Sequence, residues 1–345
     1  MGRTIHEQKE AKFWIIPLIL LMYAIPFFSN DYLIYNLNLI GIAIVGAIGI
    51  DLLAGCAGQL SMGHAAFLAI GAYSYGLLTQ NLQVGLLPAL VLSGSITAVV
   101  GLIFGIPSLR LKGLYFALAT MGFVFITEEI IKYMDWLTRG VRGLAIAPAR
   151  VFGLALDSDF RVYFLIMTIV IVMTIVGRLI LDSKLGRAFI AIRESDVAAE
   201  TCGINLTVYK TLAFGISSFY AGLTGALYAL TVGLISPENF GIMVSIQYLV
   251  MIVVGGAGYI YGAILGAIFI CLLPEVIRFT QYFLPESMAS SGYFQMIIYG
   301  LTMLIFIVFE PKGLYGRWLT IKNYWKIFPF NPAEAKRVAW IRRWK

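Results

Sequence analysis

The 345-residue, 38.1 kDa chain is 60% apolar and 12% charged, with a mean hydropathy of +0.88. Soluble domains carry about 45–50% apolar and about 25% charged residues, so this composition excludes an ordinary water-soluble enzyme and a disordered chain, and makes lipid the solvent for most of the molecule. The net charge of +7 is local: residues 311–345 hold nine lysines and arginines against Glu334 alone, an excess larger than that of the whole chain, and the remainder is close to neutral.

Ten apolar runs follow one another between short polar breaks: Phe13–Phe28, Tyr32–Leu53, Ala65–Leu78, Val84–Ile106, Leu114–Ile131, Val162–Leu181, Thr211–Ile235, Val244–Val254, Gly262–Ile277 and Tyr293–Phe309. They predict an all-α, polytopic membrane bundle of about 8–10 spanning segments, since a helix needs roughly 20 residues to cross hydrocarbon. The third, eighth and ninth runs are short and broken by glycine, and such pieces persist at membrane depth only when packed in protein or lining a wet cavity. The first run lacks the small-residue cleavage pattern of a signal peptide and reads as a retained anchor. One transmembrane domain over 1–310 and a basic, aromatic tail over 311–345 are expected. In that tail Trp318, Trp325, Trp340 and Trp344 are interleaved with cations, a composition suited to an anionic membrane surface rather than to nucleic acid.

Lysine and arginine placement puts both termini, Arg110 with Lys112, and the stretch Ser183–Lys210 on the cytoplasmic side. The segment Lys132–Arg161 dissents, being assigned outside while holding five basic residues. A weak internal repeat is visible: Gly58, Gly63 and Gly71 sit about 200 residues before Gly255, Gly256, Gly258, Gly262 and Gly266. Paired glycine-interrupted segments in two halves point to a transport site at a repeat interface, and small residues also simply let helices pack closely.

Reactive chemistry is sparse. The chain has two histidines, His6 and His64, and no H-E-x-x-H, G-x-S-x-G or phosphate-loop pattern, so no catalytic, metal or cofactor site is expected. Cys56, Cys202 and Cys271 are widely spaced and read as packing residues. The most informative stretch is GQLSMGHAAF, Gly58–Phe67, which sets Gln59, Ser61 and His64 where a helix must break or pack closely. Freed amides there, with Gln59 and Ser61, can hydrogen-bond a polar solute, so Asp51, Gly58, Gln59, Ser61, Gly63, His64, Gly255, Gly256 and Gly258 are candidates for a solute path. A lone histidine between Gly63 and Ala65 is no metal site, and His64 reads first as a hydrogen-bonded packing residue. Asp51 is costly in lipid and is expected to face inward and find a donor; Glu275 and Arg278 are spaced to pair.

The second informative stretch is Ser183–Lys210. Ser195 can cap a two-turn helix beginning at Asp196, ended by a left-handed Gly203. Two turns are unstable alone, so a partner surface is expected to hold it through Arg193, Glu194 and Glu200, with Ala198 and Ala199 allowing close approach; a solvated connector is the alternative.

At these two stretches the chain resembles the inner-membrane permeases of branched-chain amino-acid ABC importers, of the LivM type. Asp51–Tyr73 is similar to their run built around GQLS-x-GHAAF, and Gly186, Arg187, Arg193, Glu194, Ala198, Ala199, Glu200 and Gly203 match their cytoplasmic loop. Further matches include Leu137–Gly143, Ser236–Phe240 and Gly255–Gly266. The resemblance implies an inner-membrane permease without enzymatic activity or bound cofactor. It also implies a second, homologous permease chain, two cytoplasmic subunits that use ATP and engage the loop 183–210, and an external solute-binding protein. Urea and short-chain amide permeases share both stretches, and an ion-coupled transporter working alone is a further alternative.

Overall fold

The computed structural model describes residues 22–108, 111, 113–147, 150–151, 154–155, 158–281 and 313–327, with isolated positions between 297 and 309. Its helices are α1 (Asp31–Ile50), α2 (His64–Gln80), α3 (Leu86–Ser108), α4 (Leu114–Tyr133), the single turn α5 (Asp135–Thr138), α6 (Asp159–Asp182), α7 (Lys184–Glu194), α8 (Asp196–Thr201), α9 (Leu206–Val232), α10 (Ile242–Gly255), α11 (Ile260–Gln281) and α12 (Gly313–Ile327). Six stretches are long and apolar enough to span a membrane: Asp31–Cys56, Leu86–Ile106, Leu114–Tyr133, Asp159–Asp182, Leu206–Val232 and Pro237–Gly255. Ile260–Val276 is a shorter apolar helix.

Eight of the ten runs expected from sequence are therefore helices. Of the other two, Phe13–Phe28 is described only from residue 22, ending in a 3-10 turn, and Tyr293–Phe309 only at isolated positions. The departures from all-helix are two-residue strands, β1 (Leu144–Ala145) antiparallel to β4 (Leu234–Ile235), and β2 (Arg150–Val151) antiparallel to β3 (Leu154–Ala155). They lie within or against the basic segment Lys132–Arg161, which sequence treats as a plain loop.

Burial separates a centre from a periphery. Of the most apolar window, 89% lies inside the protein in the span of α1 and 78% in α9, against 28% in α6. A helix surrounded by protein can carry polar and small residues that a lipid-facing one cannot. Accordingly α9 buries Ser217, Ser218 and Thr224, the last returning its hydroxyl to the Tyr220 carbonyl at 2.7 Å. Close approach at the centre depends on glycine: a Cβ at Gly225 would collide with the Leu68 carbonyl of α2, and one at Gly71 with the Gly222 backbone of α9. With no hydrophobic driving force between helices in lipid, such backbone contact supplies the packing energy.

Contacts also fix which ends share a face. The ends of α1 and α10 and the starts of α4 and α11 gather beside α7. At the opposite end Gln80 donates to the Ala145 carbonyl, Asn38 donates to the Asp159 carbonyl at 3.1 Å, and β1 pairs β4. The basic segment after α4 is thus at the far end from the loop 183–210, with the one spanning helix α6 between them. Lys132 there is matched by Glu128 at 2.8 Å and Glu129 at 3.1 Å.

Candidate functional site

The stretch Ser183–Lys210 is more structured than sequence indicates: α7 precedes the expected short helix and packs on the end of α6. Ser183 caps α7, its hydroxyl accepting the Leu185 amide at 3.1 Å. Gly186 lies so close to the Leu181 backbone that no side chain fits there, which lets the chain fold back on itself. Arg187 donates to the Asp182 carbonyl at 3.1 Å. Gly186, Ala188, Phe189 and Ile192 bury one face of α7. The short helix is α8: Ser195 accepts the Ala198 amide at 3.3 Å, and Gly203 takes the left-handed φ of +81°. Ala199 is buried against the chain itself, and Lys210 of α9 holds Asp196 at 2.7 Å. The chain's own contacts therefore hold α8 in part. Exposed on this element remain Glu194, Val197, Ala198 and Glu200, with Val197 73% exposed. Cys202 is exposed here rather than packed as sequence suggests, while Cys56 is buried.

From the end of α7, Arg193 reaches into the membrane domain, its guanidinium donating to the Gly55 carbonyl. Gly55 belongs to a π-helical continuation of α1, Asp51–Cys56, whose wider turn re-aims the helix end before the coil 57–63. Asp51 opens that π segment, is fully buried, and accepts the Gly258 amide through Oδ1 at 2.7 Å. Gly258 has φ +88°, which a side chain resists, and a Cβ there would strike the Arg193 guanidinium. The glycine-rich breaks of the two halves thus meet: the end of α1, the α10–α11 turn and Arg193 form one joint.

The remaining sequence candidates surround this joint. Gly58 lies against Arg193, where a Cβ would sit 3.3 Å from its Cα. Gln59 gives its amide to the Leu53 carbonyl at 3.1 Å, and its buried Oε1 has no hydrogen-bond partner. Ser61 is buried and accepts the Gly63 amide at 3.1 Å, while Thr120 of α4 accepts the Met62 amide at 2.9 Å. His64 begins α2, buried, with its ring hydrogen-bonded to the Gly46 backbone and centred 5.0 Å from that of Tyr248; its Nε2 is unpartnered. Gly255 and Gly256 close α10, and Gly313 of α12 packs directly on them, while the tilted ring of Tyr315 lies beside that of Tyr259, centroids 5.2 Å apart. Of the nine path candidates, Gly58 and Gln59 border a cavity, one of about 390 Å³ at the loop end shared with Arg193, Glu194, Asp196 and Lys210.

A second cavity, of about 470 Å³, lies in the opposite half between α1, α2, α9, α10 and α11. Its walls include Tyr32, Asn36, Leu39, Leu68, Tyr228, Gln247, Tyr248 and Glu275. Sequence reasoning missed it, although Pro274 and Glu275 inside an apolar run were a signal. Glu275 accepts the Tyr32 hydroxyl at 2.5 Å and the Asn36 amide at 3.4 Å. The expected pairing with Arg278 lies outside the described residues, as do Trp325, Trp340 and Trp344 of the tail for their side chains. Among the described residues no three His, Cys, Asp or Glu side chains gather as metal ligands.

Several spanning helices, two of them broken or shortened by glycine around a central pair, and a cavity reaching into the bundle define a multi-pass membrane permease. The chain belongs to the family described as the branched-chain amino acid transport system permease component, whose model matches residues 32–307. It is 30% identical over 339 residues, 91% of this chain and 76% of the relative, to the high-affinity branched-chain amino acid transport system permease protein LivM of Escherichia coli K12. It is 25% identical to the corresponding LivH protein of the same strain, across 79% of this chain and 90% of the relative. It is also 24% identical to the ribose import permease protein RbsC of Haemophilus influenzae, across 89% of this chain and 94% of the relative. No solved structure matches the chain.

Proposed function

We propose that the chain is the permease subunit of an ATP-driven importer that moves branched-chain, aliphatic amino acids across the cytoplasmic membrane, without catalysing a reaction or holding a cofactor itself. The names of its relatives support the solute class, and the glycine-interrupted helices support alternating exposure of a central site. The observation that carries the reading is the joint in which Arg193, on the loop 183–210, grips the π-helical end of α1 beside the bond from Gly258 to Asp51. Displacing α7 and α8 must shift both glycine breaks together, because their backbone atoms are what Arg193 and Asp51 hold.

Two cytoplasmic ATP-binding subunits supply that displacement, docking on the exposed face of Val197, Ala198, Glu194 and Glu200. A second, homologous permease chain completes the membrane unit, and an external binding protein delivers solute to the end bearing β1 and β4. Both termini are then cytoplasmic. The test is leucine uptake by the assembled complex, with urea and ribose as competitors. Leucine transport that needs ATP and resists both competitors is the expected result. Replacing Arg193 and Glu194 together by alanine should stop uptake while ATP hydrolysis and assembly continue. Unchanged uptake in that variant would refute the role given to the loop.

A further inference from the structure

We propose that the turn 135–143 after α4, with Arg139 and Arg142 on either side of Val141, is the seat of the external binding protein, and that the face docking there is acidic. The inference rests on the importer reading of function and deepens it: that reading brings the binding protein to the end bearing β1 and β4, and the turn supplies the contact residues and the chemistry of the surface they fit. The turn lies at the end away from the loop 183–210, a placement that the cytoplasmic bias of lysine and arginine disfavours. Cations kept against that bias call for another use.

Lys132 is matched by Glu128 and Glu129, and Arg161 has a partner within the chain. Arg139 and Arg142 differ from both: each is exposed, and among the described residues neither side chain makes an ion pair or hydrogen bond. Val141 between them is 66% exposed. An apolar tip flanked by guanidinium groups suits a protein contact, where arginine is enriched, and it selects carboxylates, which arginine grips with two parallel bonds. Arg139 also holds the left-handed φ of +61° at the end of α5, where glycine or asparagine is strained least. No side-chain contact among the described residues offsets that strain. The turn is nonetheless fixed: the buried Thr138 hydroxyl donates to the Ile131 carbonyl at 2.6 Å and accepts the Gly140 amide at 3.2 Å, while the Asp135 carboxylate lies against Gly140. A seat already ordered loses little freedom on binding. Its anchorage favours a protein over lipid, since Gly143 packs on the Ile235 carbonyl and Gln80 donates to the Ala145 carbonyl, which ties the turn to the ends of α2 and α9. Those ends belong to the protein-surrounded centre, whereas headgroups meet the periphery. From this strap α9 runs to Lys210, whose bond to Asp196 holds α8, so a load on the turn crosses one helix to reach the loop 183–210.

The test measures binding of the cognate, leucine-loaded binding protein to the whole complex in phosphatidylcholine nanodiscs, at low and at physiological salt. Replacing Arg139 and Arg142 together by glutamine should weaken binding about tenfold or more at low salt, mostly through slower association, and by glutamate further still. Added salt should narrow the gap between the wild type and the glutamine pair, because exposed charges are screened. Arg139→Gly separates docking from folding: glycine suits the left-handed backbone, so with Arg142→Gln the complex should melt no lower than the wild type and still bind more weakly. Wild-type affinity in the glutamine pair would overturn the proposal, and so would a loss of affinity equal at both salt concentrations, which would deny the acidic face. Loss of the second permease chain from the purified variants would make the turn a contact inside the membrane unit instead. Arginine dependence seen only in discs containing phosphatidylglycerol would make lipid the occupant. A wild-type complex that binds no external binding protein at any salt would remove the importer reading and this seat with it, an outcome distinct from tight binding that ignores both arginines.

Discussion

At the end carrying the loop 183–210, helices are joined by backbone and glycine: Gly255 lies on the Gly262 carbonyl, Gly313 on Gly256, and Asp51 on the Gly258 amide. At the other end the same helices stand apart around tyrosines, amides and one carboxylate, with about 470 Å³ between them. Glycine contacts leave no room to rearrange gradually, because close-packed interiors shift between discrete arrangements rather than deforming continuously. The aromatic end has slack. The same helices are therefore locked by backbone contact at one end and separated by a cavity at the other.

The largest effect should come from adding carbon to the closed end. Gly255→Leu would drive a side chain into the Gly262 carbonyl, and overpacking of this kind costs about 1–3 kcal/mol or more. The expectation is loss of folded protein, read by size-exclusion profile and thermal melting in detergent. Ala43→Val adds carbon beside the chamber and should melt within about 1 kcal/mol of the wild type, since space is already there. Equal damage from both would erase the distinction between the ends.

Next in size is Asp51→Ala. It leaves the Gly258 amide buried without its acceptor, a loss of about 1–3 kcal/mol. Asp51→Asn keeps an oxygen for that amide and should recover most of the stability. If Asn is as damaging as Ala, charge rather than hydrogen bonding holds the joint.

How much of this could be read in advance follows from range. Helix positions are local consequences of apolar runs, and the break at Gly58–Gly63, the cap at Ser195 and the left-handed Gly203 were all legible because each depends on a few neighbouring residues. That Asp51 would find a donor was legible too, but not which: Gly258 is 207 residues away. The helix α7 was overlooked because Gly186 interrupts its pattern, although that glycine is what permits the sharp return from α6. The chamber escaped altogether. Tyr32, Tyr228, Gln247 and Glu275 come from four helices, and nothing in their local spacing reveals that they converge.

A smaller effect is expected at the rim. Tyr32→Phe removes the hydroxyl donor to Glu275 without emptying space, and a hydrogen bond to a charged group contributes about 1.5–3 kcal/mol, less here because Tyr32 is half exposed. The melting temperature should fall slightly, measured in detergent beside the wild type. An unchanged melting temperature would mean that this half-exposed bond adds nothing measurable to stability.

The smallest effects should come from two ion pairs, one at each end, and their contrast is the more informative for it. Lys210–Asp196 at 2.7 Å and Lys132–Glu128 at 2.8 Å have similar partial exposure, 18% and 33% against 30% and 20%, so each should contribute little to stability and weaken with salt. By stability alone Lys210→Met and Lys132→Met should be alike. Their consequences for transport should differ, because Lys210 ties α8 to the central helix α9, whereas Lys132 bonds acidic residues of its own helix. A loosened α8 transmits less of any displacement applied to Val197 and Ala198. Lys210→Met should therefore lower uptake per ATP hydrolysed, while Lys132→Met leaves that ratio unchanged. Identical ratios in the two variants would mean that α8 moves as a rigid extension of α7, driven through Arg193 alone.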